Sequence, residues 1–343
     1  IPIHKPNKDT SNPSSYRPIS LLCSISKILE RVILNRVNKF LEEKEIIPEE
    51  QHGFRKKFSS THQLTRVIKQ AKEELSHGSS TGIIMLDVEK AFDRVWHNGL
   101  LFKMIKLKFP TYIIYIISSF LKDRSFHVDI NGAKSPTHNI PFGVPQGAVL
   151  SPTLYNIFTY DIPKFINTHL ALFADDTAFY CSSPLVSVII EALKNHASLI
   201  SDYMKKWKVT INAQKTQAIF ITKRIKKELP GRKIKIFGTS VAWQSKCKYL
   251  GMVFEKRLTF KQHIEYVISR ANIAIKVLYP LISRNSKLHI LNKLLIYKVA
   301  IRPILTYACP AFVNIANCHI KKLQVLQNKA LKMILKKNRF ERT

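Results

Sequence analysis

The stretch Phe173-Ala174-Asp175-Asp176 constrains this chain more than any other. The apolar run Leu170-Ala171-Leu172 precedes it and Thr177-Ala178-Phe179-Tyr180-Cys181 follows. Both runs are β-prone, so the two carboxylates are predicted at the tight turn of a hairpin. No Lys or Arg lies between Lys164 and Lys194. Adjacent like charges raise one another's pKa and destabilise a fold unless a cation sits between them. A metal ion meets that need most simply, although an Asp pair taken alone is more often a solvated turn. Asp87 supplies a third carboxylate. It ends Ile83-Ile84-Met85-Leu86, which reads as a buried strand with Asp87 at its end rather than in a core.

Three carboxylates at strand ends suit Mg²⁺, a hard ion that takes oxygen ligands from protein and substrate phosphates. Two such ions roughly 3.5–4 Å apart clamp the attacking and leaving oxygens of an in-line phosphoryl transfer. The charge balance points the same way. Lys and Arg number 55 against 23 Asp and Glu, a net +32 spread along all 343 residues. A polyanion is the expected partner, and nucleic acid fits best because phosphate neutralisation gives sequence-independent affinity. An anionic membrane surface is the rival. The most apolar segment, Tyr112 to Leu121, is about half of the ~20 residues that span a bilayer, and reads as a buried helix. The cysteines Cys23, Cys181, Cys247, Cys309 and Cys318 show no Cys-x-x-Cys spacing, which argues against a zinc module or disulfide framework and for a reducing compartment. No signal peptide is recognisable, and the start Ile1-Pro2-Ile3-His4 reads as an internal piece of something longer.

Residues 1–20 carry Pro2, Pro6, Pro13 and Pro18 and should be extended or looped. Helical spacing of apolar residues runs from Lys27 to Glu43 and from about Thr61 to Leu75, with the basic loop His52-Gly53-Phe54-Arg55-Lys56-Lys57 between them. That loop suits a phosphate track or a solvated surface equally. Helices are predicted for Val95–Leu107 and Thr111–Leu121, then a hairpin from Ser125 through Asn131-Gly132 to Ile140. In Phe142-Gly143-Val144-Pro145-Gln146-Gly147-Ala148-Val149-Leu150-Ser151-Pro152, backbone amides can approach a ligand, and Ser151 should cap a helix containing Leu154 to Tyr160. Val186–Trp207 is helical, while Thr216–Thr222 and Lys246–Phe254 read as strands. From about Thr259 strands give way to basic helices at 260–279, 287–301 and 317–336, ending Lys337-Asn338-Arg339. The shift near residue 255 is the best domain boundary.

Seven of these segments, in this order, resemble the reverse transcriptase domain of non-long-terminal-repeat retrotransposons, closest to the jockey-like elements of arthropods. They are Tyr16-Arg17-Pro18-Ile19-Ser20-Leu21-Leu22; Gln51-His52-Gly53-Phe54-Arg55; Asp87-Val88-Glu89-Lys90-Ala91-Phe92-Asp93; Gly143-Val144-Pro145-Gln146-Gly147 with Leu150-Ser151-Pro152; Phe173-Ala174-Asp175-Asp176; Lys215-Thr216; and Tyr249-Leu250-Gly251. Each motif alone is weak, but the ordered set is specific.

The resemblance implies an α+β right-hand polymerase fold: fingers over 1–80, N-terminally incomplete; an antiparallel palm over 81–254 with a finger insertion around 95–145; and a helical thumb over 255–343. It implies RNA-templated DNA synthesis from deoxynucleoside triphosphates with two Mg²⁺ ions, Mn²⁺ being an alternative, on an RNA template and a DNA primer at the target. Nuclear action after cytoplasmic synthesis, and continuity with an upstream endonuclease absent from this sequence, follow from the same likeness. Asp87, Asp175 and Asp176 would hold metal with the Val88 carbonyl. Phe92 would be a steric gate against a ribose 2′-hydroxyl. Gln146 and Gly147 would lie along the nucleotide and template base, and Arg17, with Lys27 or Arg31, would clamp the triphosphate. Lys215 would donate a proton to pyrophosphate, and Tyr249, Leu250 and Gly251 would grip the primer. Asp93, off the helical face of Asp87, reads as structural. The rival readings are a catalytically inactive nucleic-acid-binding remnant, an RNA-templated RNA polymerase and an intron-maturase-like enzyme.

Overall fold

The computed structural model describes residues 2–5, 8–130, 132–223, 230–231, 233–236, 238–313 and 315–337. The proline-rich start forms β1 (Pro2–His4) antiparallel to β2 (Tyr16–Pro18). Helix α1 (Ser24–Glu43) begins three residues earlier than its apolar pattern, because the Cys23 thiol accepts from the Ser26 amide and caps it. Helix α2 (Ser60–Ser76) is capped by Ser59 and buries Leu64, Val67, Ile68, Ala71 and Leu75, the stripe its periodicity predicts.

β3 (Ser80–Leu86) is buried at every position. A 3₁₀ turn (Ala91–Arg94) leads to α3 (His97–Lys106) and α4 (Thr111–Leu121). The structure corrects the expectation that α4 is buried all round: Ile113, Ile117 and Leu121 face inward, but Tyr115 is 72% exposed. The hairpin expected to run from Ser125 to Ile140 breaks into two short pairs, β4 (Ser125–Phe126) with β7 (His138–Asn139) and β5 (Asp129–Ile130) with β6 (Ala133–Lys134). Its predicted turn residue Asn131 lies outside the described residues.

Helix α5 (Ser151–Phe158) follows, then β8 (His169–Phe173), β9 (Asp176–Ser183), α6 (Val186–Lys206) and β10 (Gln217–Ile221). Two unpredicted strands come next, β11 (Lys233–Ile236) and β12 (Thr239–Gln244). The single strand predicted over Lys246–Phe254 is a hairpin, β13 (Lys246–Tyr249) with β14 (Met252–Glu255). Its two turn residues, Leu250 (φ 44°) and Gly251 (φ 80°), both adopt the left-handed conformation of the turn type that suits a two-residue hairpin.

The central sheet has six strands in the order β11-β12-β10-β3-β9-β8. Neighbours are antiparallel except β10 with β12, so the sheet is mixed rather than wholly antiparallel. Its two-residue periodicity divides the interior. Ile84, Leu86, Leu170, Leu172, Phe179 and Phe220 join one core with α1, α3, α4, α5 and α6. Ile83, Met85, Ala178, Tyr180, Ile219 and Ile221 join a second with α2 and the β13–β14 hairpin. Each Leu, Ile, Met or Phe among them contributes about 1.5–3 kcal/mol by burial. Within the first core Lys103 is fully buried. Its ammonium pairs with Asp161, donates to the Tyr203 hydroxyl at 2.9 Å and lies 3.8 Å from the Trp207 ring centre.

Past Glu255 the described residues hold helices but no strand: α7 (Lys261–Ile282), α8 (Ile290–Ile296), a π-helical turn (Tyr297–Ile301), α9 (Arg302–Thr306) and α10 (Asn317–Ile334). They pack around a core of their own, centred on Ala271, Ile301 and Ala330. Asn338 and Arg339, in the predicted basic end, lie outside the described residues.

Candidate active site

Strand register brings the three carboxylates to one end of the sheet. Leu86 lies opposite Thr177, so the next residues outward, Asp87 and Asp176, are level. Phe173 pairs with Asp176, which leaves Ala174 and Asp175 as the tip of the β8–β9 turn. The electrostatics show the convergence. Withdrawal from water raises the pKa of Asp175, its own backbone hydrogen bond and Arg17 oppose this, and Asp87 raises it further. Asp176 is pushed up to about 6, mainly because the surrounding protein withholds water from its carboxylate although it opens to solvent, and then by Asp175 and Asp87. Buried Tyr155 on α5 feels both Asp175 and Asp176, which add to the effect of burial in raising its phenol.

Asp87 is held from the other side. Val88 bridges Ile211, the Glu89 amide donates to Thr210 O at 2.8 Å, and the Asn212 amide donates to Asp87 O at 2.8 Å. That ladder uses the groups on either side of Val88 and leaves the Val88 carbonyl out. The Lys215 amide in turn donates to Asn212 Oδ1 at 3.2 Å, and the Lys215 ammonium reaches Asp87 Oδ2 at 3.4 Å.

The loop over 143–151 packs on the segment after Asp87. Val144 N–H donates to Phe92 O and Gly143 N–H to Val95 O, both at 2.8 Å. His97 and Arg124 donate to Gly143 O, each at 2.7 Å. Gln146 Nε2 donates to Asp93 Oδ1 at 2.8 Å, which gives the structural Asp93 a definite task. Gly147 (φ 114°) lies so close to β2's continuation that a Cβ would stand 2.5 Å from Ser20 O. Phe92 is half-buried, 5.0 Å from Tyr155 and 6.4 Å from Phe54 between ring centres.

Several expected roles shift. Ser151 is the first residue of α5 rather than its cap, and its hydroxyl donates to Pro145 O at 2.7 Å. No side chain caps α5; the two amides just before it are held from α1, where Glu30 Oε2 accepts the Val149 amide at 2.6 Å and the Leu150 amide at 3.1 Å. Arg17, Lys27 and Arg31 are exposed, and Arg17 is within electrostatic reach of Asp175. Arg55, expected in a phosphate track, is turned inward, donating to Pro48 O at 3.0 Å and Gln51 O at 3.2 Å. Tyr249 is buried with its hydroxyl on Ala171 O at 3.0 Å, so the β13–β14 turn presents backbone rather than that side chain. The Tyr307 hydroxyl donates to Leu250 O at 2.6 Å.

Among the described residues, no three His, Cys, Asp or Glu side chains close tightly enough to form a ready metal cage. The donor chemistry nevertheless suits a hard divalent ion: Asp175 and Asp176 repel one another and Asp87, the Lys215 ammonium pairs with Asp87, and Arg17 eases only Asp175.

Residues 3–254 match the family described as reverse transcriptase (RNA-dependent DNA polymerase). The chain is 36% identical over 337 residues to the probable RNA-directed DNA polymerase from transposon X-element of Drosophila melanogaster, covering 97% of this chain and 37% of that protein. It is 37% identical over 342 residues to the RNA-directed DNA polymerase from mobile element jockey of Drosophila funebris, with the same coverage. It thus spans little more than a third of the length of these relatives. A solved telomerase from Candida tropicalis in complex with a TWJ fragment of telomeric RNA is 15% identical, covers 93% of this chain and 55% of that one, and superposes with a TM-score of 0.44.

Proposed function

The chain belongs to the reverse transcriptase (RNA-dependent DNA polymerase) family, and on that premise we propose that it copies retrotransposon RNA into DNA at a primer supplied by the insertion target. The observation that carries the proposal is the strand register that sets Asp87 level with Asp176 and puts Asp175 in the adjoining turn, three carboxylates at one sheet end. The net charge of +32 supports duplex binding along the phosphates.

In this reading residues 1–80 are fingers, 81–254 the palm with a finger insertion around 95–145, and 255–343 the thumb, a division supported by the separate core of the C-terminal helices. Asp87 and Asp175 are the principal metal ligands, with the Val88 carbonyl and Asp176 completing the site. A divalent ion held by these carboxylates would supply charge neutralisation for the triphosphate and a more acidic primer 3′-hydroxyl. Arg17, with Lys27 or Arg31, holds triphosphate oxygens, for which the guanidinium fork is suited. Phe92 fills the space a 2′-hydroxyl needs. Gln146, held by Asp93, and Gly147 lie along the nucleotide and template base, and Lys215 protonates the departing pyrophosphate. The Leu250–Gly251 backbone steadies the primer end. Target-primed insertion places this action in the nucleus; no described helix is long and apolar enough to cross a membrane.

Primer extension with Mg²⁺, comparing RNA with DNA templates and deoxy- with ribonucleotides, tests the proposal. Extension on RNA with deoxynucleotides is expected and should vanish in Asp87→Asn. Binding of primer–template with no extension would instead leave a nucleic-acid-binding remnant.

A further inference from the structure

We propose that Gln51 is a positioning residue that fixes the turn carrying Asp175, so that the chemistry depends on a side chain outside the carboxylate cluster. The inference rests on the reading of Asp175 as a catalytic residue.

Ala174, immediately before Asp175, is in the left-handed conformation at φ 57°. A Cβ makes that conformation unfavourable, so something must hold it there. Gln51 is 2% exposed, and its Oε1 accepts the Ala174 amide at 3.0 Å and the Gly53 amide at 2.8 Å. The segment around it is laid along β8 as an added edge: His52 N–H donates to Leu172 O at 2.9 Å and Leu172 N–H to Glu50 O at 3.0 Å. Gly53 presses directly on the turn, where a Cβ would stand 2.1 Å from Ala174 N, and Asn156 Nδ2 donates to Gly53 O at 2.9 Å. One buried oxygen therefore satisfies two amides and joins the strap to the residue next to Asp175. Removing it leaves the buried Ala174 amide without that partner and frees the turn to relax toward an unstrained conformation.

Three variants test this, with Asp175→Asn as control. Gln51→Met keeps the length and removes the acceptor; Gln51→Glu keeps an acceptor oxygen; Ala174→Gly removes the left-handed penalty. Gln51→Met is expected to lower the single-turnover incorporation rate about 10–100-fold and to weaken Mn²⁺ binding to the nucleic-acid-free protein by a similar factor. Primer–template affinity and the apparent nucleotide Kd should stay within about twofold, because neither surface includes Gln51. Gln51→Glu, and Ala174→Gly added to Gln51→Met, should each recover most of the loss. If Gln51→Met does not fold, the Gln51→Met/Ala174→Gly double variant should fold and incorporate. A Gln51→Met rate equal to wild type, a loss matched in primer–template affinity and rescued by neither change, or a double variant that also fails to fold would overturn the inference. Activity in Asp175→Asn would overturn the underlying reading instead.

Discussion

The Lys215 ammonium stands 3.4 Å from Asp87 Oδ2, so a cation carried by the chain itself neutralises the first carboxylate of the site. If Asp87 holds a metal ion as proposed, that ion and Lys215 compete for one acid. Lys215→Met should lower single-turnover incorporation about 10²-fold through loss of the proton donor. The same variant should need less Mg²⁺ for half its maximal rate, because Asp87 has lost its rival partner. An unchanged rate in a Mg²⁺ titration would remove Lys215 from the chemistry.

Asp176 has a pKa pushed up to about 6 from an ordinary value of 3.8. A raised carboxyl pKa means the folded state binds the proton more tightly than the unfolded state. Its stabilising effect is full below the ordinary value and is lost as pH rises through about 6. At neutral pH Asp176→Asn should therefore stabilise the metal-free protein, by about 1 kcal/mol after allowance for solvent screening. The gain should shrink to nothing below about pH 4, as thermal melting across pH would show. Equal melting shifts at pH 7 and pH 4 would refute the electrostatic cause.

Phe92 packs edge-on to Phe54 and tilted on Tyr155, with part of its ring uncovered. Phe92→Val should reduce discrimination against ribonucleotides by about 10²-fold, because a hydrophobic wall rejects an added hydroxyl mainly by shape. Competing deoxy- and ribonucleotide incorporation measures it. An unaltered ratio would return Phe92 to a purely packing role.

Glu30 holds the Val149 and Leu150 amides from a helix more than a hundred residues away in sequence. Glu30→Ala removes the partner of two amides beside the Gln146 loop and should destabilise the protein by about 1–3 kcal/mol. It should also raise the apparent nucleotide Kd more than it lowers the maximal rate. Glu30→Gln, which keeps an acceptor, should lie between. Urea unfolding and nucleotide titration of the same preparations separate the two effects.

Lys103 is buried beside Trp207, and burial lowers its ammonium to about 8 against the pull of Asp161. Lys103→Met leaves the partly exposed Asp161 with the Tyr203 hydroxyl but no cation and should cost about 1–3 kcal/mol in urea unfolding. Lys103→Met combined with Asp161→Leu should recover most of that.

Asp87 and the Asp175–Asp176 hairpin are legible in the sequence because a two-residue hydrophobic period, a strand end and a carboxylate pair are all local signals. The helices carrying a single apolar stripe, α2 above all, are legible for the same reason. β11, with its alternating Lys233-Ile234-Lys235-Ile236, carries a strand pattern of the same kind and could have been found by it. The task of Gln51 could not be found that way: the residue opens a recognisable motif, but its bond to Ala174 spans 123 residues. The start of α5 misleads for a related reason: Ser151 is the local candidate for a cap, but its hydroxyl turns to Pro145 O, and Glu30 reaches the amides just before the helix across the tertiary fold. Tyr249 stands in a recognisable motif while its hydroxyl serves the sheet beneath.

β3 is the seam between two interiors, with alternate residues committed to opposite sides and Asp87 one peptide beyond its end. A substitution anywhere along it disturbs one interior or the other, and with it the peptide that sets Asp87 at the mouth of the site.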